Sequence, residues 1–134
     1  MVRIIILVLM HIIGDFILQG SKLSKRKILK LPALFEHTGI YTATLIILSP
    51  LFLSLTFLQS LIFSFLNGVL HFVVDFVTCK VKKKYWEVDE EKYFKTIGLD
   101  QTLHIIILIV TYLTLFPDIL KVPTIFDKFD ILIQ

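Results

Sequence analysis

The sequence predicts an all-α, polytopic membrane protein: four transmembrane helices forming two tandem helical hairpins, with a short C-terminal interfacial helix. Three observations predict it. The chain has 134 residues, 56% of them hydrophobic, and a mean hydropathy of +0.84. Only 19% of residues are charged, below the roughly one in four of soluble domains, and they are bunched between apolar runs of about bilayer length. The bunches are mostly basic and flank those runs. Despite a net charge of +3, that placement marks topology signals and contacts to anionic lipid, not a nucleic-acid surface. A single cysteine, Cys79, excludes an intramolecular disulfide and a thiolate metal cage.

The first span runs from Val2 to Leu18. It is read as retained and not as a signal peptide, because His11 and Asp15 interrupt its apolar stretch and no small-residue cleavage pattern follows. A basic connection follows over 21–30. Pro32 suits the start of the second span, about Ala33 to Leu48, and Ser49-Pro50 marks a kink or an outer turn. The third span covers about Gln59 to Val77. It leads into Lys80–Lys84 and the acidic run Glu87–Glu91, and Tyr85, Trp86, Tyr93 and Phe94 form an interfacial aromatic belt. The fourth runs from Thr96, read as its N-cap, to Phe116. Beyond it, Ile125, Phe126, Phe129, Leu132 and Ile133 share one helical face, which suits a helix lying on the membrane surface. The single membrane domain, 1–134, thus divides into hairpins at 1–57 and 58–117 and a tail at 118–134.

Orientation follows from charge. The two connections after the first and third spans hold eleven of the fourteen Lys and Arg residues, and residues 49–59 hold none. The positive-inside rule places both connections in the cytoplasm and both termini outside the cytoplasmic (inner) membrane.

All four histidines lie in apolar spans, and three are four residues from an aspartate: His11 and Asp15, His71 and Asp75, His104 and Asp100. Residues at that spacing share one helix face, about 6 Å apart along the axis. With His37, these seven groups fall within two turns of the same inner interface. An ionisable group at the bilayer centre costs at least ~2.5 kcal/mol on insertion scales, so the seven should face one another. The chain also repeats: 11–17 and 71–77 share histidine, aspartate and phenylalanine at an offset of sixty residues. Two hairpins related by an axis along the membrane normal would bring the pairs together.

Taken singly, each histidine has a packing explanation; as a set they point to metal. His11, Asp15, His37, His71, Asp75 and His104 are the candidate ligands. Imidazole with carboxylate suits zinc first, with manganese or iron as alternatives. Asp100 or Glu36 is the candidate general base or orienting carboxylate.

The set H-x-x-x-D-F-x-L-Q (His11, Asp15, Phe16, Leu18, Gln19), His37, H-x-x-x-D (His71, Asp75) and D-Q-x-x-H (Asp100, Gln101, His104) resembles the bacterial membrane proteins of domain-of-unknown-function family 3307. The resemblance covers almost the whole chain and supports the site, not a reaction. The H-x-x-x-D pairs are also similar to those of small membrane-bound metal-dependent hydrolases.

Three functions fit. The first is a metal-dependent hydrolase of a lipid or lipid-linked substrate. The second is a divalent-cation or proton transport or sensing subunit, which the near absence of polar residues from the outer halves of the spans argues against. The third is a structural subunit with a hydrogen-bonded polar cluster. Membrane lipid is the expected partner, a homodimer is compatible with each reading, and nucleic acid is not expected.

Overall fold

The computed structural model describes residues 1–118, which form helices and no strand. Helix α1 (Val2–Ile12) runs into a π-helical turn at Ile13–Ile17, followed by α2 (Gly20–Leu29), α3 (Leu31–Leu53), α4 (Phe57–Tyr85) and α5 (Glu90–Leu115). Apart from Asp118, the tail expected on the outer surface lies outside the described residues.

The basic connection after the first span is a helix and not a loop. Leu23, Lys27 and Ile28 recur at one-turn spacing and are buried, while Lys22, Lys25 and Arg26 face outward. Helix α2 leaves the first span at a bend of 80°. Gly20 stands at that bend with φ +62, a left-handed backbone that costs glycine no Cβ clash. Lys30 is extended, and Pro32 lies in the first turn of α3, where its missing N–H leaves no bond unmade.

Pro50 does not end α3; the helix continues to Leu53 and stops at Ser54, whose φ is 59. A capping box then starts α4: the Gln59 N–H donates to Thr56 Oγ1 at 3.3 Å, and the Thr56 N–H donates to Gln59 Oε1 at 2.8 Å. Helix α4 has 29 residues, about 43 Å at 1.5 Å per residue. It therefore carries Lys80–Lys84 as helix beyond a hydrocarbon layer of ~30 Å. Helix α5 begins earlier than expected. Its N-cap is Asp89, which accepts the Lys92 N–H at 3.0 Å, whereas the Thr96 hydroxyl donates to the Lys92 carbonyl inside the helix. The side-chain bond from Lys92 also holds the Asp89 carboxyl below its ordinary range.

Helix α3 packs along α4 and α4 along α5, α1 lies against α3 and α5, and α2 crosses α3 and α4. The packing is inside out. Phe57, Phe65 and Ile17 are 66–72% exposed, whereas His11, His37, Asp75 and Asp100 are wholly buried. Helices α3, α4 and α5 are each long and apolar enough to cross a membrane, and the bent α1–α2 pair makes a fourth candidate. Exposed apolar faces on this scale are untenable in water and are what a bilayer solvates. This is a multi-pass membrane protein. Leu7, Met10, Leu45, Phe63, Leu108 and Tyr112 fill one end of the bundle, and polar side chains fill the other.

Helices α3 and α4 approach closely at Gly68. A Cβ added there would clash with Thr42 Oγ1 and stand 3.3 Å from Thr42 Cβ. Gly68→Ala should destabilise the protein by ~1–3 kcal/mol through overpacking, and adding Thr42→Ala should recover most of the loss. Thermal unfolding in detergent tests this; equal midpoints for wild type and Gly68→Ala would mean that the crossing is loose.

Candidate metal centre

Each element delivers its polar residues by simple helical spacing, except the first. In the turn at Ile13–Ile17 the Leu18 N–H bonds to the Ile13 carbonyl at 2.9 Å, an i→i+5 bond that inserts one residue into the helical ladder. Such π turns occur frequently at functional sites. The turn aims Asp15 into the bundle, where it is 1% exposed. Gly14 permits the close approach: a Cβ there would stand 3.1 Å from the Tyr41 ring and 3.4 Å from Thr44 Cβ on α3. On α4, His71, Asp75, Thr78 and Lys82 succeed one another at intervals of four, three and four, and all face inward. Helix α3 adds His37 and Tyr41, and α5 adds Asp100, Gln101 and His104.

The centre of the cluster is His37 Nε2. It lies 3.0 Å from Asp15 Oδ1, 3.0 Å from Asp75 Oδ2, 2.8 Å from His71 Nε2 and 2.9 Å from Lys27 Nζ. His71 Nε2 is in turn 3.5 Å from Asp15 Oδ1 and 3.4 Å from Asp75 Oδ2. One ring nitrogen carries one hydrogen or one lone pair, so these four contacts cannot all be satisfied together. A hydrogen shared between the two carboxylates would still leave His37 Nε2 facing the Lys27 ammonium and a second imidazole nitrogen. A cation among the four ligand atoms removes the conflict among the two carboxylates and two imidazoles and leaves Lys27 Nζ to its bond with Asp75 Oδ2. Four ligands at ~2.0–2.1 Å from a tetrahedral metal stand ~3.3–3.4 Å from one another, close to the spacing found. Asp15, His37, His71 and Asp75 are thus a buried set able to hold a metal ion, flanked by two smaller sets, His11–Asp15–His104 and Asp75–Asp100–His104.

Gln101 ties the sets together: its carbonyl accepts from His11 Nε2 at 2.9 Å, and its amide donates to Asp15 Oδ2 at 2.7 Å and Asp100 Oδ2 at 3.2 Å. That arrangement is the polar support that orients metal ligands. Tyr41 stacks on His71, and His71 stacks on His104, each at 4.0 Å between ring centres. Asn67 accepts from the Thr111 hydroxyl at 2.9 Å and joins α4 to α5 one turn from His71.

Seven of the eight residues singled out from sequence converge here: His11, Asp15, His37, His71, Asp75, Asp100 and His104. Glu36 does not. It is half exposed and lies 3.6 Å from Arg26, because neighbouring helical residues diverge by ~100° and His37 takes the inward direction. Asp100 is saturated with donors, accepting from the Thr78 hydroxyl and from Lys82 Nζ at 2.7 Å. Two residues read as topology signals prove to belong to the cluster. Lys27 donates to Asp75 Oδ2 at 2.9 Å, Lys82 pairs with Asp100, and both lysines are buried. Lys82 was findable, since it lies seven residues past Asp75 on the same face. Lys27 was not, because it reaches the site only through the bend before α2.

Fold and site together define a helical, multi-pass membrane protein with a buried histidine–aspartate cluster able to hold a metal. Residues 4–133 match the family described as Protein of unknown function (DUF3307), and the chain belongs to that family. Among curated proteins and solved structures, nothing matches it.

Removing one member of a buried ion pair strands the other charge, at ~3–5 kcal/mol, whereas replacing both is close to neutral. Lys82→Met and Asp100→Leu should each lower the thermal midpoint markedly, and the double variant should regain most of it. Additive losses in that cycle would show that the two side chains are not coupled.

Proposed function

We propose that the protein binds a divalent metal, zinc first with manganese or iron next, between Asp15, His37, His71 and Asp75, with His11 and His104 completing the ligand field. The convergence of four ligand atoms on one point carries the reading. Imidazole and carboxylate donors with no thiolate are the ligand types found in catalytic zinc sites, such as those built from two histidines and a glutamate. On this reading a metal held there would supply Lewis acidity and water activation for hydrolysis of a lipid or lipid-linked substrate, and Asp100 would act as the orienting carboxylate. An opening supports the hydrolytic role: a cleft of 120 Å³ lies at the basic end of the bundle, lined among others by Asp15, Lys27, Lys82, Asp100 and Gln101.

The topology proposal stands with it. Helix α2 and the last turns of α4 lie at the end of the bundle that holds the cluster, and both are rich in lysine. We place that end in the cytoplasm and both termini outside the inner membrane. The meeting of the two H-x-x-x-D segments in one cluster supports tandem hairpins at 1–57 and 58–117.

A second reading, passage of a proton or divalent cation, draws on one observation. The inward stripe of α4 continues as Asn67, Ser64 and Ser60 toward the far end, all buried. The outer half of this span is therefore more polar than its hydropathy implies. Phe63, Leu7, Leu45 and Leu108 close around that stripe, which favours an enzyme over a conduit.

Elemental analysis of protein purified without metal-affinity resin tests the proposal. Wild type should carry one or two equivalents of metal and His71→Ala none. Gln101→Ala should bind ~10–100-fold more weakly, as loss of a supporting hydrogen bond does. Metal retained in full by His71→Ala would refute the ligand assignment, and metal flux into proteoliposomes would favour the second reading.

A further inference from the structure

Lys27 and Lys82 are the least expected members of the cluster. A cation site gains nothing from two ammonium groups beside its ligands, since like charges repel across a dry interior. Lys27 Nζ is 2.9 Å from both His37 Nε2 and Asp75 Oδ2, and Lys82 Nζ is 2.7 Å from Asp100 Oδ2 and 3.9 Å from Asp75 Oδ1. Both lysines line the cleft that opens on the cluster. Three carboxylates and two ammoniums leave the cluster one negative charge in surplus while its imidazoles are neutral. One divalent ion reverses that to one positive charge in surplus, beside a cavity with two cationic donors on its wall.

The size of the cavity limits what can enter. At 120 Å³ it holds about four waters, at ~30 Å³ each, which is room for a tetrahedral oxyanion but not for a whole lipid headgroup. Its mouth adjoins a groove of 610 Å³, with which it shares Ser24 and Tyr93 and whose walls include Lys25, Tyr85 and Trp86. Tyrosine, tryptophan and lysine are the side chains that sit at headgroup level in membranes. The larger groove can seat the remainder of a molecule whose anionic group enters the cleft.

We propose that the cleft between Lys27 and Lys82 binds the phosphoryl group of a phosphoester beside the metal, so that the substrate class of this site is a phosphate ester presented at the membrane interface. This rests on the metal-site reading above. Ammonium groups are well suited to phosphate as point charges, and their carboxylate partners hold them in place until the anion arrives.

The test uses full-length protein in detergent loaded with manganese, with inorganic phosphate as the probe in isothermal titration calorimetry. A second arm uses protein in phosphatidylcholine nanodiscs with and without phosphatidic acid. Metal-loaded wild type should bind phosphate and metal-stripped protein should not. Lys27→Gln and Lys82→Gln keep a donor for the neighbouring carboxylate but lose the charge. Each should retain metal and fold with a lowered thermal midpoint, because one carboxylate loses its counter-charge. The folded, metal-loaded variant should bind phosphate at least ~10-fold more weakly, the usual worth of one charge-assisted bond. Lys82→Arg should retain most of the affinity. Displacement of inorganic phosphate by phosphatidic acid would identify a lipid source for the phosphoryl group; phosphate binding indifferent to that lipid would identify a soluble one. Metal-loaded wild type that binds neither probe overturns this inference alone, as does binding that ignores both glutamine substitutions. Wild type that takes up no metal overturns the metal reading as well.

Discussion

Satisfying ionised groups inside an apolar shell is the constraint on which the rest of this structure depends. Three aspartates, two lysines and four histidines lie buried among helices whose outer faces are phenylalanine, leucine, isoleucine and valine. The aspartates and histidines within the spans cannot turn outward, because the exterior there is solvated by hydrocarbon. Each must find its partner across the bundle, so the helices are held in register by pairs such as Lys27–Asp75, Lys82–Asp100 and Gln101–Asp15. Pairing does not resolve at His37 Nε2, the point on which the candidate ligands converge, nor at His104, neither of whose ring nitrogens has a hydrogen-bond partner among the described residues.

The same constraint explains the division of labour along the bundle. At one end, Leu7, Phe63, Leu45 and Leu108 interlock as a conventional core. At the other, hydrogen bonds and ion pairs take over, and α2 folds back across α3 and α4 to bring Lys27 to the cluster. The bend at Gly20 and the length of α4 beyond the bilayer both serve that end. One turns a chain that has just left the membrane back toward it, and the other carries Lys82 to the level of Asp100.

Much of this was legible in the sequence because helical periodicity is a strong constraint on where side chains point. Histidine and aspartate four residues apart on three spans, with His37 on the remaining one, placed seven groups at one depth, and the structure brings those seven together. Helix ends were less legible. Lys80–Lys84 reads as a loop by hydropathy, yet lysine is a good helix former and α4 runs through it. Thr96 has the chemistry of an N-cap, but Asp89 offers the same chemistry about two turns earlier, with acidic residues in the first turn. Glu36 was grouped with the site by adjacency to His37, where the 3.6-residue period argues the reverse. Lys27 depended on tertiary folding of α2, which no local pattern reports.

The π turn at Ile13–Ile17 gives the first span a property that its neighbours lack. A turn bonded i→i+5 has a competing i→i+4 register one residue away, and exchange between them rotates the chain beyond by ~100°. Asp15 sits within that turn and contacts three of the four histidines. A change of register there would turn both Asp15 and the start of α2 away from their partners, so this one turn fixes the carboxylate and the helix that brings Lys27 to it.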